Sequence, residues 1–144
     1  KKFAFAMDLG SAPDKKFSDD YQSGALSFEI IRNNKKLICN SGYFQNYKHQ
    51  LNNISKTTAC HSTLSIANHS SVQFVKQPDS PSKISTGLKI FNKKIISENN
   101  YWSASASHDG YNKRFGIIHE RKIDFLHDAE KFIGVDKIFK KKKI

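Results

Sequence analysis

Apolar residues in this chain recur at every second position almost throughout, and almost nowhere at the three- and four-residue spacing of an amphipathic helix. FAFAMDL, ALSFEII, KLICN, HSTLSIA, SVQFV, ISTGLKIF, YWSASASH, RFGIIHERKIDFL and KFIGV are all of strand length. They are separated by IRNNKK, ANHSS, KQPDSPSK, SENN and HDGYNK, rich in the Asn, Asp, Gly, Pro and Ser that turns demand. Because successive strand residues face opposite ways, each segment has one face to bury. The predicted fold is all-β, a two-sheet antiparallel β-sandwich. A chain of 144 residues suits one domain that buries roughly two thirds of its unfolded surface without staples. Its 38% hydrophobic content is too high for a disordered chain.

No window approaches the ~18 uninterrupted apolar residues of a membrane span. The start, KKFAFAMDLG, lacks the apolar core and cleavage site of a signal peptide. A chain that begins at Lys1 without an initiator Met and stops on a lysine run reads as a piece cut from a longer protein. The net charge of +11 invites a polyanionic partner, because clustered cations release counterions from polyanions. Yet there are 21 Lys and only 3 Arg among many Asn and Ile, a pattern that AT-rich coding produces unaided. Arg is the better fork for phosphate and carboxylate. The first reading is a solvated cationic surface, and the closing KKKKI reads as a strand end or linker edge. Nucleic acid is not expected as a partner, since Tyr and Phe form no stacking platform beside a basic stripe. Cys39 and Cys60 make no CxxC and no zinc cage, and read as buried free thiols or one disulfide in an oxidising compartment.

Alternation assigns the polar residues to faces. Phe115, Ile117, His119, Arg121, Ile123 and Phe125 share one side of the last long strand; Ile118, Glu120, Lys122, Asp124 and Leu126 share the other. His119 and Arg121 therefore sit within an apolar face, where a guanidinium must be paired or hydrogen-bonded. That face either carries an internal polar layer or opens onto a cleft. His108 leads into the Asp109-Gly110 turn signal, and is read as a turn residue or a ligand contact with equal weight. His61 falls with Thr63 and Ser65 on the polar side of its segment. The stretch GYFQNYKHQLNNISKTT, from Gly42 to Thr58, is the one long connection without a clear period, and such loops tend to carry function.

The succession ALSFEI, LICNSGYF, TACHSTLSI, SASHDGYNKRFGIIHERKI and IGVDKI resembles the C-terminal β-sandwich of heparinase II/III-like proteins, in the form carried by alphaproteobacteria. The likeness runs from Gly24 to Ile138 within a single β-domain of residues 1–144. It implies a polysaccharide lyase whose N-terminal α/α toroid, absent from this sequence, joins the β-domain around a cleft for acidic, uronate-containing polysaccharide. Such enzymes cleave by β-elimination: the uronate carboxylate is neutralised, a base removes the C5 proton and an acid protonates the leaving oxygen. In relatives a toroid Tyr and an Asn or His, with a His of the sandwich, supply these groups. The resemblance implies that this domain is inactive alone, that its own toroid is its partner, and that the parent lies in the cell envelope or periplasm of a Gram-negative bacterium. The alternative is a carbohydrate-binding accessory domain that dropped the chemistry.

Relatives carry HxHxD just before the LSFE-like strand. Aligned on Leu26, the catalytic His becomes Asp20, the metal-binding His becomes Gln22 and the Asp becomes Gly24. The metal-ligating Asp of a VDSG-like segment becomes Asn40, while the His of an AHNT-like segment is kept as His61. No cofactor is expected, and zinc is disfavoured, because amide oxygens are poor zinc partners. The expectation is instead a hydrogen-bonded cluster of His61, Asn40 and Gln22 converging from neighbouring strands. His108, Tyr111, His119 and Arg121, in the ASHDGY and HxR segments, are the implied substrate-binding residues.

Overall fold

A computed structural model describes residues 3–140, so the end of the KKKKI run lies outside the described residues. Every strand pairing is antiparallel and helix is confined to short turns, consistent with an all-β sandwich. Among the described residues the strands sort into three sheets, and the chain divides into two compact units, one up to Leu88 and one from Lys89 on.

In the first unit β1 (Phe3–Met7), β2 (Phe28–Arg32) and β3 (Lys35–Ile38) form one sheet in that order. Phe5 and Phe28 stack with centroids 6.2 Å apart. Asn33 and Asn34 turn β2 into β3 with φ of 48° and 62°, the left-handed pair that a two-residue hairpin needs and that Asn tolerates best after Gly. ALSFEII is not extended from its start: buried Leu26 has φ 58°, and the strand begins only at Phe28. A smaller sheet pairs β4 (Gln73–Val75) with β5 (Lys83–Thr86) across the Pro-Ser loop. The long connection holds one helix, α1 (Gln50–Ser55), whose N-terminus is capped by His49 Nδ1 accepting from Leu51 N–H at 3.2 Å.

HSTLSIA departs from expectation, for it forms no strand. Its hydroxyls bond to neighbouring backbone in place of a ladder. Ser62 Oγ meets both Phe28 N–H and Phe28 O, and Thr63 Oγ1 donates to Ala25 O at 2.7 Å. Nor are the cysteines buried. Both are free thiols, Cys39 exposed and Cys60 half-buried, where its Sγ donates to Ile54 O at 3.2 Å.

A three-hydroxyl cluster anchors this unit. Ser23 Oγ lies 2.8 Å from Thr58 Oγ1 and 2.9 Å from Ser71 Oγ, and it accepts the Val72 N–H at 2.9 Å. Thr58 Oγ1 donates to Ser23 O and accepts from Ser71 N–H. All three residues are buried beside Ala25, Leu26 and Val72.

The second unit is a four-stranded meander. β6 (Ile90–Ser97), β7 (Tyr101–His108), β8 (Ile117–Leu126) and β9 (Lys131–Lys140) neighbour one another in chain order. ISTGLKIF thus splits at Gly87–Lys89 into β5 and β6, and KFIGV extends to Lys140. Burial along β8 alternates from His119 to Phe125, as the period predicts. Trp102 faces Phe125 across the β7–β8 ladder, and Phe132 packs on both rings, 5.7 Å from Trp102 and 4.5 Å from Phe125. Between β7 and β8 the chain forms a helical turn, α2 (Asn112–Phe115), ended by Gly116 at φ 66°, so Phe115 belongs to the turn and not to the strand.

Candidate functional site

In the second unit the register of β7, β8 and β9 builds a continuous polar chain. His108 stands opposite His119, and Arg121 opposite Asp136. The hydrogen bonds fix their direction. Gly110 N–H donates to His108 Nδ1 at 3.1 Å, so the His108 proton sits on Nε2 and faces His119 Nδ1 at 3.1 Å. His119 Nε2 then donates to Asp136 Oδ1 at 2.7 Å. Arg121 closes the chain bidentately, Nε to Oδ1 at 2.7 Å and Nη2 to Oδ2 at 3.0 Å. Burial, then His119 and Arg121, push the His108 imidazole down to about 3, so it is neutral at neutral pH. Burial raises Asp136, but the hydrogen bonds from His119 and Arg121 outweigh it and hold the carboxyl well below the usual carboxylate range.

The structure brings together all four residues that the resemblance assigned to substrate. Tyr111 packs its ring 5.6 Å from His108. The four are at most 7% exposed, and the member of the network that solvent reaches is Asp136, with a side chain 43% exposed. Of the two open readings of the β8 face, the internal polar layer is the arrangement seen.

The first unit gathers the remaining candidates. His61 follows a turn of 3-10 helix (Thr58–Cys60) and stands on no strand. Its Nδ1 faces Thr57 O at 2.8 Å, so Nδ1 donates, and its Nε2 meets the Gln22 side chain at 3.2 Å. Asn40 is spent one residue away: its Oδ1 accepts from Ser62 N–H at 2.9 Å and its Nδ2 lies 3.3 Å from Ser27 Oγ. Gln22 and His61 therefore meet directly, whereas Asn40 joins through Ser62. Gly24 has a positive role here, since a Cβ at this position would lie 2.8 Å from His61 Cδ2. The imidazole occupies the space that a side chain at this position would need. Asp20, which the resemblance aligned with a catalytic histidine, is exposed and accepts from Tyr43 OH at 3.2 Å. Tyr43 in turn accepts from Asn52 Nδ2 at 2.9 Å. Burial, with Asp20 nearby, raises the Tyr43 hydroxyl above its ordinary range, which keeps it a proton donor.

These residues do not fit zinc. One imidazole stands with two neutral amides, and no cluster of three His, Cys, Asp or Glu side chains that could hold a metal occurs among the described residues.

Sequence reasoning missed Asp136 and Lys56. Asp136 sat unassigned in IGVDKI; only the β8–β9 register, which puts a carboxylate opposite Arg121, reveals it. Lys56 is 1% exposed, and its ammonium donates to Asp19 O and to Ser82 O, an arrangement with no local pattern to announce it.

No curated protein and no solved structure matches the chain. The profile of the family described as heparinase II/III-like, C-terminal, does match, over residues 1–144. With the whole chain covered, and with an antiparallel β fold built around the segments that carry the likeness, the protein belongs to the heparinase II/III-like family as its C-terminal domain.

Proposed function

We propose that this domain serves a polysaccharide lyase acting on acidic, uronate-containing polymer by β-elimination, and that it works with an N-terminal toroid of the same protein. The family match over residues 1–144 carries the reading. The net charge of +11 supports it, because a uronate polymer is a polyanion. With Asp20 at the histidine position, the base for the C5 proton comes from the toroid, and the β-domain contributes polymer binding and charge neutralisation. No resident metal is expected at His61, because one imidazole beside the neutral Gln22 and Asn40 amides is a poor donor set for zinc. A uronate-containing polysaccharide is met outside the cytoplasm, so the reading assigns the protein to the cell envelope or periplasm. The test is to express the full-length protein and follow unsaturated uronate products by absorbance across acidic polysaccharides. Product from at least one polymer is expected; silence with all of them, alongside retained polymer binding, removes the lyase step.

A further inference from the structure

A groove of ≈ 400 Å³ in the first unit is lined by Tyr47, Lys48, Asn53, Lys76, Gln77 and Asp79, from the segment that leads into α1, from α1 itself and from the Pro-Ser loop between β4 and β5. Its base is fixed from below. Buried Ser82 donates its hydroxyl to Asn53 Oδ1 at 2.8 Å, and its carbonyl accepts from the buried Lys56 ammonium at 2.9 Å. The Asn53 amide is thereby oriented with its NH₂ left over for another acceptor. The side chains of Lys48, Lys76, Gln77 and Asp79 have no hydrogen bond, ion pair or ring contact within the described residues.

The geometry points to a binding site for an acidic saccharide in this groove. The argument is one of matching chemistry, and it rests on the proposed function for the polymer class while adding where on the domain the polymer is held. A pyranose presents an apolar face of C–H groups and a rim of hydroxyls. Half-buried Tyr47 offers a flat ring for the face, and the Asn53 and Gln77 amides with the Asp79 carboxylate offer paired donors and acceptors for the rim. Two ammonium groups against one carboxylate leave the groove cationic, so the sugar it suits carries a carboxylate or sulfate. A volume of this size lies in the range of small-ligand sites, enough for one or two sugar rings.

The experiment is calorimetric titration of the full-length protein with a galacturonate tetrasaccharide and a heparin tetrasaccharide, with maltotetraose as the neutral control. Binding of at least one acidic probe and none of maltotetraose is expected. The double variant Lys48→Ala/Lys76→Ala should weaken binding by about tenfold or more, Tyr47→Ala should weaken it several-fold, and Lys93→Ala/Lys94→Ala, which removes two exposed cations of β6, should leave it unchanged. Unaltered affinity in the Lys48/Lys76 variant overturns the site. So does an equal loss in the Lys93/Lys94 variant, which would reduce the effect to net charge, and so does failure of the wild-type protein to bind either acidic probe. The two proposals separate in the absorbance assay. Cleavage with groove variants of wild-type affinity removes the groove and keeps the lyase; groove-dependent binding without cleavage of any polymer does the reverse.

Discussion

The two units hold their polar groups in opposite ways. Up to Leu88 the strands are short, and the chain between them is pinned by side-chain hydroxyls: Ser23, Thr58 and Ser71 bond to one another and to backbone that no ladder reaches. From Lys89 on, β7 and β8 pair without interruption from Tyr101–Leu126 to His108–His119, and β8 and β9 from Ile117–Lys140 to Leu126–Lys131. There the buried His108, His119 and Arg121 are gathered into one charge-compensated chain that ends on the part-exposed Asp136. The difference teaches where each unit is vulnerable. The first depends on many separate bonds of modest individual worth, the buried Lys56 ammonium being held by backbone carbonyls; the second depends on one ionic knot in an otherwise regular sheet.

Acid should break the comparison most strongly. His108 has its imidazole lowered from 6.5 to about 3, so the neutral form is the one that folding favours. Its stabilisation is complete above pH 6.5 and is lost as pH falls towards 3, at ~1.4 kcal/mol per pH unit, or ~4 kcal/mol by pH 3.5. Asp136, also lowered, adds a loss of the same sign only below its ordinary value of 3.8. Urea unfolding between pH 7 and 4 should show this slope, and His108→Gln should flatten it; an unchanged slope in the variant means that His108 is not the responsible group. Next in size is Asp136→Ala, which takes the bidentate carboxylate from the buried Arg121 guanidinium and should cost about 3 kcal/mol, whereas Arg121→Met leaves a carboxylate that water already reaches and should cost about 1 kcal/mol. Equal losses would mean that the knot is not charge-driven. In the first unit Thr58→Val keeps the shape but strips partners from Ser23 and from the Ser71 N–H, for about 2 kcal/mol in the same assay. Gly24→Ala should cost about 1 kcal/mol from the Cβ pressed against His61, and a double-mutant cycle should erase that cost in the His61→Ala background.

The second unit was the more legible in sequence for the same reason. Its strands obey period two, so the parity of residues 117 to 125 placed His119 and Arg121 on the buried face correctly. In the first unit the same alternation misled, because Ser62 and Thr63 in HSTLSIA spend their hydroxyls on backbone outside their own segment, which no local period records. α1 was hidden inside GYFQNYKHQLNNISKTT: its six residues are too few for a helical repeat to register, and its cap is a histidine in place of the usual Ser, Thr, Asp or Asn. The meeting of His61 with Gln22 followed from the resemblance, but the role of Gly24 did not, since a missing ligand and a position that must have no side chain look alike in one sequence.

The bidentate pair of Arg121 and Asp136 spans 15 residues of chain and two strands. During synthesis β6, β7 and most of β8 leave the ribosome before β9 exists. Asp136, the acceptor that the Arg121 guanidinium and the His119 ring share, is therefore the last member of the network to be made. Truncation after β8 therefore removes the last ladder of the sheet and this shared carboxylate together, a larger loss than Asp136→Ala alone.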